Sequence, residues 1–177
     1  QAYATYEDMM QLTEELIPSM VKEFHTEPSL TYQGKEIHFA PPWKKVRFKD
    51  SLVQYGEVDP ALLKEPSRAI EMAKGLGLDL KKGTSHGRVL AELFKERVEP
   101  RLIQPTFITH YPTDISPLSR RNAEDPDVVD RFELFIAGRE IAQGYSMLND
   151  PVAARARFRA QLGLRSEEAG LVLGALG

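Results

Sequence analysis

Apolar residues near the start of the chain recur at helical spacing. Met9, Leu12, Leu16 and Met20, joined by Ile17, Val21 and Phe24, draw a wide stripe over about five turns. Thr5 with Asp8 three residues on can cap the first turn, because each side chain can take a backbone N–H that a helix start leaves unpaired. The period then drops to two. Thr31 to Phe39 alternates around a turn near Gly34, Pro41-Pro42 closes that ribbon, and Trp43 to Phe48 reads as a further strand with a short helix after Asp50. Residues 56–84 are rich in proline, glycine and charge, yet Ser67 to Lys74 has helical spacing and Gly75 is placed to end it. A second amphipathic helix runs from His86 to Val98 through Val89, Leu90, Leu93 and Phe94. Pro105 to Thr109 reads as a short buried strand, and Pro151 opens a last helix. Helices and antiparallel ribbons without a βαβ rhythm predict an α+β fold, an antiparallel sheet flanked by helices.

The richest chemistry lies in the alternating stretch Arg131 to Asp150. Two apolar arms flank Ala137-Gly138, and a two-residue loop there pairs Phe135 with Glu140 and Glu133 with Ala142. Glu133 and Glu140 then point the same way. Neighbouring carboxylates repel unless something positive sits between them, for which a divalent cation is the usual remedy. A solvated hairpin is the plainer alternative.

Composition narrows the rest. The chain has 177 residues, 42% hydrophobic and 28% charged, enough for one domain with a true core. It opens on Gln1 within a helix-like pattern, so the expectation is a segment of a longer protein. No apolar run reaches the roughly 20 residues of a membrane span, and no charged-then-apolar leader is present. The absence of cysteine excludes disulfides and thiolate-bound zinc and fits a cytoplasmic setting. A net charge of −3 provides no general attraction for a polyanion, so any nucleic-acid contact must be local. His25, His38, His86 and His110 lack metal-ligand spacing. Arg155, Arg157 and Arg159 are expected to spread over a solvated helix side, and Arg120-Arg121, after a Ser-Pro turn, to make a surface ion pair.

Two blocks carry a family resemblance. LIQPTFITHYPTDISPLSRRN, from Leu102 to Asn122, and DRFELFIAGREIAQGYSMLND, from Asp130 to Asp150, closely resemble the catalytic domain of class II lysine–tRNA ligases. The opening AYATYEDMM, from Ala2 to Met10, is similar to the helix that follows motif 2 of that domain. The match keeps order and spacing over residues 1–161, which defines a partial catalytic domain, and leaves 162–177 as a divergent tail that is expected to be disordered.

The resemblance implies activation of an amino acid with ATP and its transfer to tRNA. It puts Glu133 and Glu140 at positions that hold Mg²⁺ on the ATP phosphates, and Gln143, Tyr145 and Met147 along one strand face in the amino-acid pocket. On a regular strand Glu140 and Gln143 face opposite ways, so a shared site requires a bulge or twist near Ala142–Gly144. No residue of the segment is assigned a catalytic role. The family has Asn at the first pocket position and Glu at the third, where the acid pairs with the lysine ammonium; Met147 cannot supply that charge. Motifs 1 and 2 are expected before Gln1 and motif 3 beyond residue 161, so the segment alone is expected to be incompetent and its parent a homodimer. The competing reading is a non-catalytic paralogue serving as a binding or regulatory module.

Overall fold

The structure, a computed structural model, describes residues 4–162. Helix α1 (Tyr6–Phe24) begins at the predicted cap: the Thr5 hydroxyl accepts from the Asp8 N–H, and the Asp8 carboxylate accepts from the Thr5 N–H at 2.6 Å. Strands β1 (Ser29–Tyr32) and β2 (Lys35–His38) form an antiparallel ribbon across Gln33-Gly34, whose φ angles are 50° and 74°. Strand β3 (Lys44–Arg47) runs directly into α2 (Phe48–Gln54), which starts ahead of Asp50 rather than after it. Helix α3 (Pro66–Gly75) includes Gly75, and the left-handed residue just beyond is Gly77. Helix α4 (His86–Arg97) is capped by the Ser85 hydroxyl. Then come β4 (Thr106–Pro112), longer than predicted, β5 (Val128–Ile136), β6 (Arg139–Tyr145) and α5 (Pro151–Leu162). The tail residues 163–177 lie outside the described residues.

The main sheet has the order β3-β4-β5-β6. Its β4–β5 and β5–β6 pairs are antiparallel, as expected, but β3 pairs with β4 in parallel, Val46 opposite Ile108. A parallel pair needs a long crossover, and here it is the whole helical stretch α2–α4. That stretch is broken into three separate helices with loops between them, which is why no βαβ rhythm is legible in the sequence.

Side chains of both sheet faces are buried. One face packs Val46, Ile108, Tyr111, Val129 and Phe135 against Phe48, Leu90, Leu93 and Phe94 of the helices. The other packs Phe107, Phe132, Leu134 and Ile136 against Tyr6, Met10 and the ribbon residues Ile37 and Phe39. β5 is thus covered on both sides and is buried at every position except Arg131, its charged residues Asp130 and Glu133 included.

The predicted stripe of α1 divides. Met9, Ile17 and Val21 are partly buried and Leu12, Leu16, Met20 and Phe24 are exposed, Phe24 by 83%, while Tyr6 and Met10, which the stripe did not include, are buried. The helix lays its Tyr6–Met10 edge on the sheet, so only part of the stripe is covered.

Candidate functional site

The β5–β6 hairpin turns through Ala137 and Gly138, both left-handed at φ 56° and 73°, which is the geometry of a tight two-residue turn. Ile136 faces Arg139 and Phe135 faces Glu140 as the sequence implied, but the next pair is Leu134 with Ala142. Ile141 is an extra residue, a bulge, and Glu133 consequently faces Gln143 rather than Ala142. The bulge expected near Ala142–Gly144 thus lies just before it. Its effect is to put Glu133, Glu140 and Gln143 on one face, with Tyr145 opposite Arg131 on that same face. Gly144 faces Phe132, and a Cβ there would come within 2.6 Å of the ring, so glycine lets β6 lie close against β5.

A second irregularity completes the site. In β4, Thr109 faces Phe132 but Tyr111 faces Val129, and His110 between them is left-handed at φ 58°. The register shift turns Tyr111 onto the face that carries Glu133. There the Tyr111 hydroxyl donates to Glu133 Oε2 at 2.7 Å. The Arg131 guanidinium donates to Glu133 Oε1, to Gln143 Oε1 at 3.1 Å and to Ser116 Oγ at 3.0 Å, and lies over the Tyr111 ring 4.9 Å from its centroid. Sequence reasoning missed Tyr111 and Arg131. Arg131 had a legible signal, since it sits two residues from Glu133 on one strand face; Tyr111 had none, because its face depends on the shift at His110.

The electrostatics are those of crowded acids. Burial and then the Glu133 carboxylate push Glu140 above the ordinary glutamate range, with Arg131 opposing. Glu99 is raised by burial, with Lys95 opposing and Glu133 adding. Tyr111 is raised well above the usual phenol value by burial, and Glu133 holds its proton in place. An acid raised in the folded state loses stability as it ionises. At neutral pH Glu140→Gln therefore increases the melting temperature, and the gain shrinks as pH falls through the carboxylate range, where the native side chain also becomes neutral. Melting curves of both proteins against pH check this; a constant gap would show that charge is not the cause.

The other predicted positions differ. Met147 lies beyond the end of β6 in an isolated antiparallel bridge with Ser119 and is 64% exposed. Arg120 pairs at 2.9 Å with Asp130, a buried carboxylate rather than the surface partner expected, and Arg121 forms no ion pair among the described residues. Arg157 departs from expectation: it is half-buried, and its guanidinium reaches the carbonyls of Ser116, Pro117 and Ser119. Among the described residues, no group of three His, Cys, Asp or Glu side chains is placed to hold a metal. Glu133 and Glu140 share one face of the hairpin and are hard carboxylate donors of the type that hold Mg²⁺ together with water and substrate phosphates. Burial is the larger cause of the raised Glu140, and the Glu133 carboxylate adds a like-charge repulsion of the kind a cation relieves.

The model of the tRNA synthetases class II (D, K and N) family matches residues 1–171. The chain belongs to this class II synthetase family. It is similar to proteins named lysine–tRNA ligase. One, from Pelotomaculum thermopropionicum, is 47% identical over 165 residues, covering 92% of this chain and 32% of the relative. Another, from Carboxydothermus hydrogenoformans, is 43% identical over 167 residues, with 94% and 34% covered. A third, from Syntrophomonas wolfei, is 42% identical over 166 residues, with 94% and 34% covered. This synthetase segment thus spans about a third of the length of the curated relatives it matches. Among its described residues no helix is long and apolar enough to cross a membrane.

Proposed function

We propose that this segment supplies one wall of a site that activates lysine with ATP and transfers it to tRNA, in a cytoplasmic homodimeric parent protein. The observation that carries the reading is the shared face of Glu133 and Glu140 beside Gln143 and Tyr145, in a chain similar to lysine–tRNA ligases over most of its length.

In this reading Glu133 and Glu140 hold the Mg²⁺ that accompanies ATP, and the bound ion supplies charge neutralisation at the phosphate oxygens. Tyr111 and Arg131 position Glu133 by engaging one carboxylate oxygen each, leaving its remaining lone pairs for a ligand. Gln143 and Tyr145 offer an amide and a phenol to the amino acid, with the Gln143 carbonyl oriented by Arg131.

Met147 supports the second reading, a non-catalytic paralogue acting as a binding or regulatory module, because an exposed thioether gives an ammonium no counter-charge. ATP–pyrophosphate exchange with lysine, run on the full-length parent, tests the proposal. Exchange that depends on lysine and is lost in Glu140→Gln is expected, and an absence of exchange with every amino acid would leave only the paralogue. In the same protein Met147→Glu is expected to lower the KM for lysine about tenfold, the effect of a gain of about 1.4 kcal/mol. An unchanged KM would displace the ammonium pocket from residue 147.

A further inference from the structure

Away from the Glu133–Glu140 pair, a cleft of about 680 Å³ opens between the start of α4, the loop after β4 and helix α5. Arg88, Arg121 and Arg157 line it together with Ser85 and Asp114. These arginines come from three separate parts of the chain, so only the fold brings them together. Arg157 is fixed by the loop carbonyls of Ser116, Pro117 and Ser119. Burial and the neighbouring Arg121 guanidinium push it below the usual arginine value, which places two like charges side by side.

The carboxylates nearby do not cancel this charge. Asp114 Oδ2 accepts the Gly87 N–H at 3.0 Å, so that acid is engaged at the first turn of α4. The contact of Arg88 with Glu92 is a half-exposed pair at 3.6 Å, of the kind that contributes little. For Arg121 no ion pair is formed with any described residue. Asp127 lines the adjoining pocket with Arg121, but the lining of the cleft itself holds three guanidiniums and one carboxylate, Asp114. That net positive charge favours an anion with several oxygens, and guanidinium forks suit phosphate best.

We propose that this cleft binds phosphate groups, with Arg88 and Arg121 as the contacting forks and Arg157 as the fixed cation between the cleft and the loop. The same loop joins the cleft to the candidate site, since Ser116 receives Arg131 on its hydroxyl and Arg157 on its carbonyl. The phosphates can come from an RNA backbone or from a small free polyphosphate.

The test uses the 177-residue chain, with fluorescence anisotropy of a labelled RNA hairpin titrated at several salt concentrations. A parallel arm follows the melting temperature with added tripolyphosphate. For an RNA source, the double variant Arg88→Gln/Arg121→Gln lowers the slope of log affinity against log salt by about 2, one unit for each phosphate no longer neutralised. The same charge removal on α3, Arg68→Gln/Lys74→Gln, leaves the slope unchanged. For a small polyphosphate, tripolyphosphate raises the wild-type melting temperature and the cleft variant loses that rise. Either arginine-dependent result supports the site. The proposal falls if neither response depends on Arg88 and Arg121, or if the α3 variant loses as much. Arg88→Lys/Arg121→Lys keeps the charge without the forks and guards against a variant that fails to fold. Because binding is read directly, a chain without aminoacylation activity still answers the question.

Discussion

Replacing Glu133 with Ala destabilises the chain by about 3–5 kcal/mol, the usual cost of removing one partner of a buried ion pair. The Glu133 and Arg131 side chains are only 12% and 18% exposed, so the truncation strands a guanidinium in a poorly solvated position. It also removes the acceptor of the buried Tyr111 hydroxyl. Glu133→Gln keeps an oxygen for Tyr111 but weakens the bond to Arg131, and falls between wild type and Ala. Urea unfolding of the three proteins measures the series. A loss below about 1 kcal/mol in the Ala variant would mean that water reaches the pair and that it behaves as a surface contact.

Phe48→Ala is expected to cost about 3–5 kcal/mol for the cavity it leaves. The ring is fully buried, stacked 5.2 Å from Phe94 and tilted 5.0 Å from Tyr111, so it joins the helices to the functional face of the sheet. Through Tyr111 the effect reaches Glu133. The double variant Phe48→Ala/Glu133→Ala is therefore less destabilised than the two single losses added together, since both act on one phenol. Urea unfolding of the two single variants and the pair completes that cycle, and strict additivity would show that Tyr111 does not couple the core to the acid.

Most local elements were legible because their signals are local. The Thr5–Asp8 capping box, the turns at Gly34 and Ala137-Gly138, and the helix spacing of Val89 to Phe94 each depend on residues a few positions apart. Boundaries were less accurate. Gly75 has the residue type of a helix stop, but the chain takes its left-handed turn at Gly77, two residues later. The stripe on α1 told which face is apolar, not how much of it is covered, because coverage depends on what packs against it.

For the candidate site, the residue types and the two-residue hairpin turn were in the sequence, and so was the requirement for a bulge between Glu140 and Gln143. The position of that bulge was not, since Ile141 resembles any other strand residue and is displaced only by the pairing of β6 with β5. Met147 was expected on the face of Gln143 and Tyr145, but β6 ends at Tyr145 and alternation says nothing beyond a strand's last pair.

By itself the sequence determined the family, the order of the elements and the two acids on one hairpin, because periodicity, turn chemistry and long in-register similarity are properties of the linear chain. Tertiary structure alone decided the parallel pairing of β3, the turn of Tyr111 onto the Glu133 face at His110, and the meeting of Arg88, Arg121 and Arg157 around one cleft. These depend on register and on contacts between distant segments, where one residue of slippage reverses a side chain's direction and no short window of sequence carries the information.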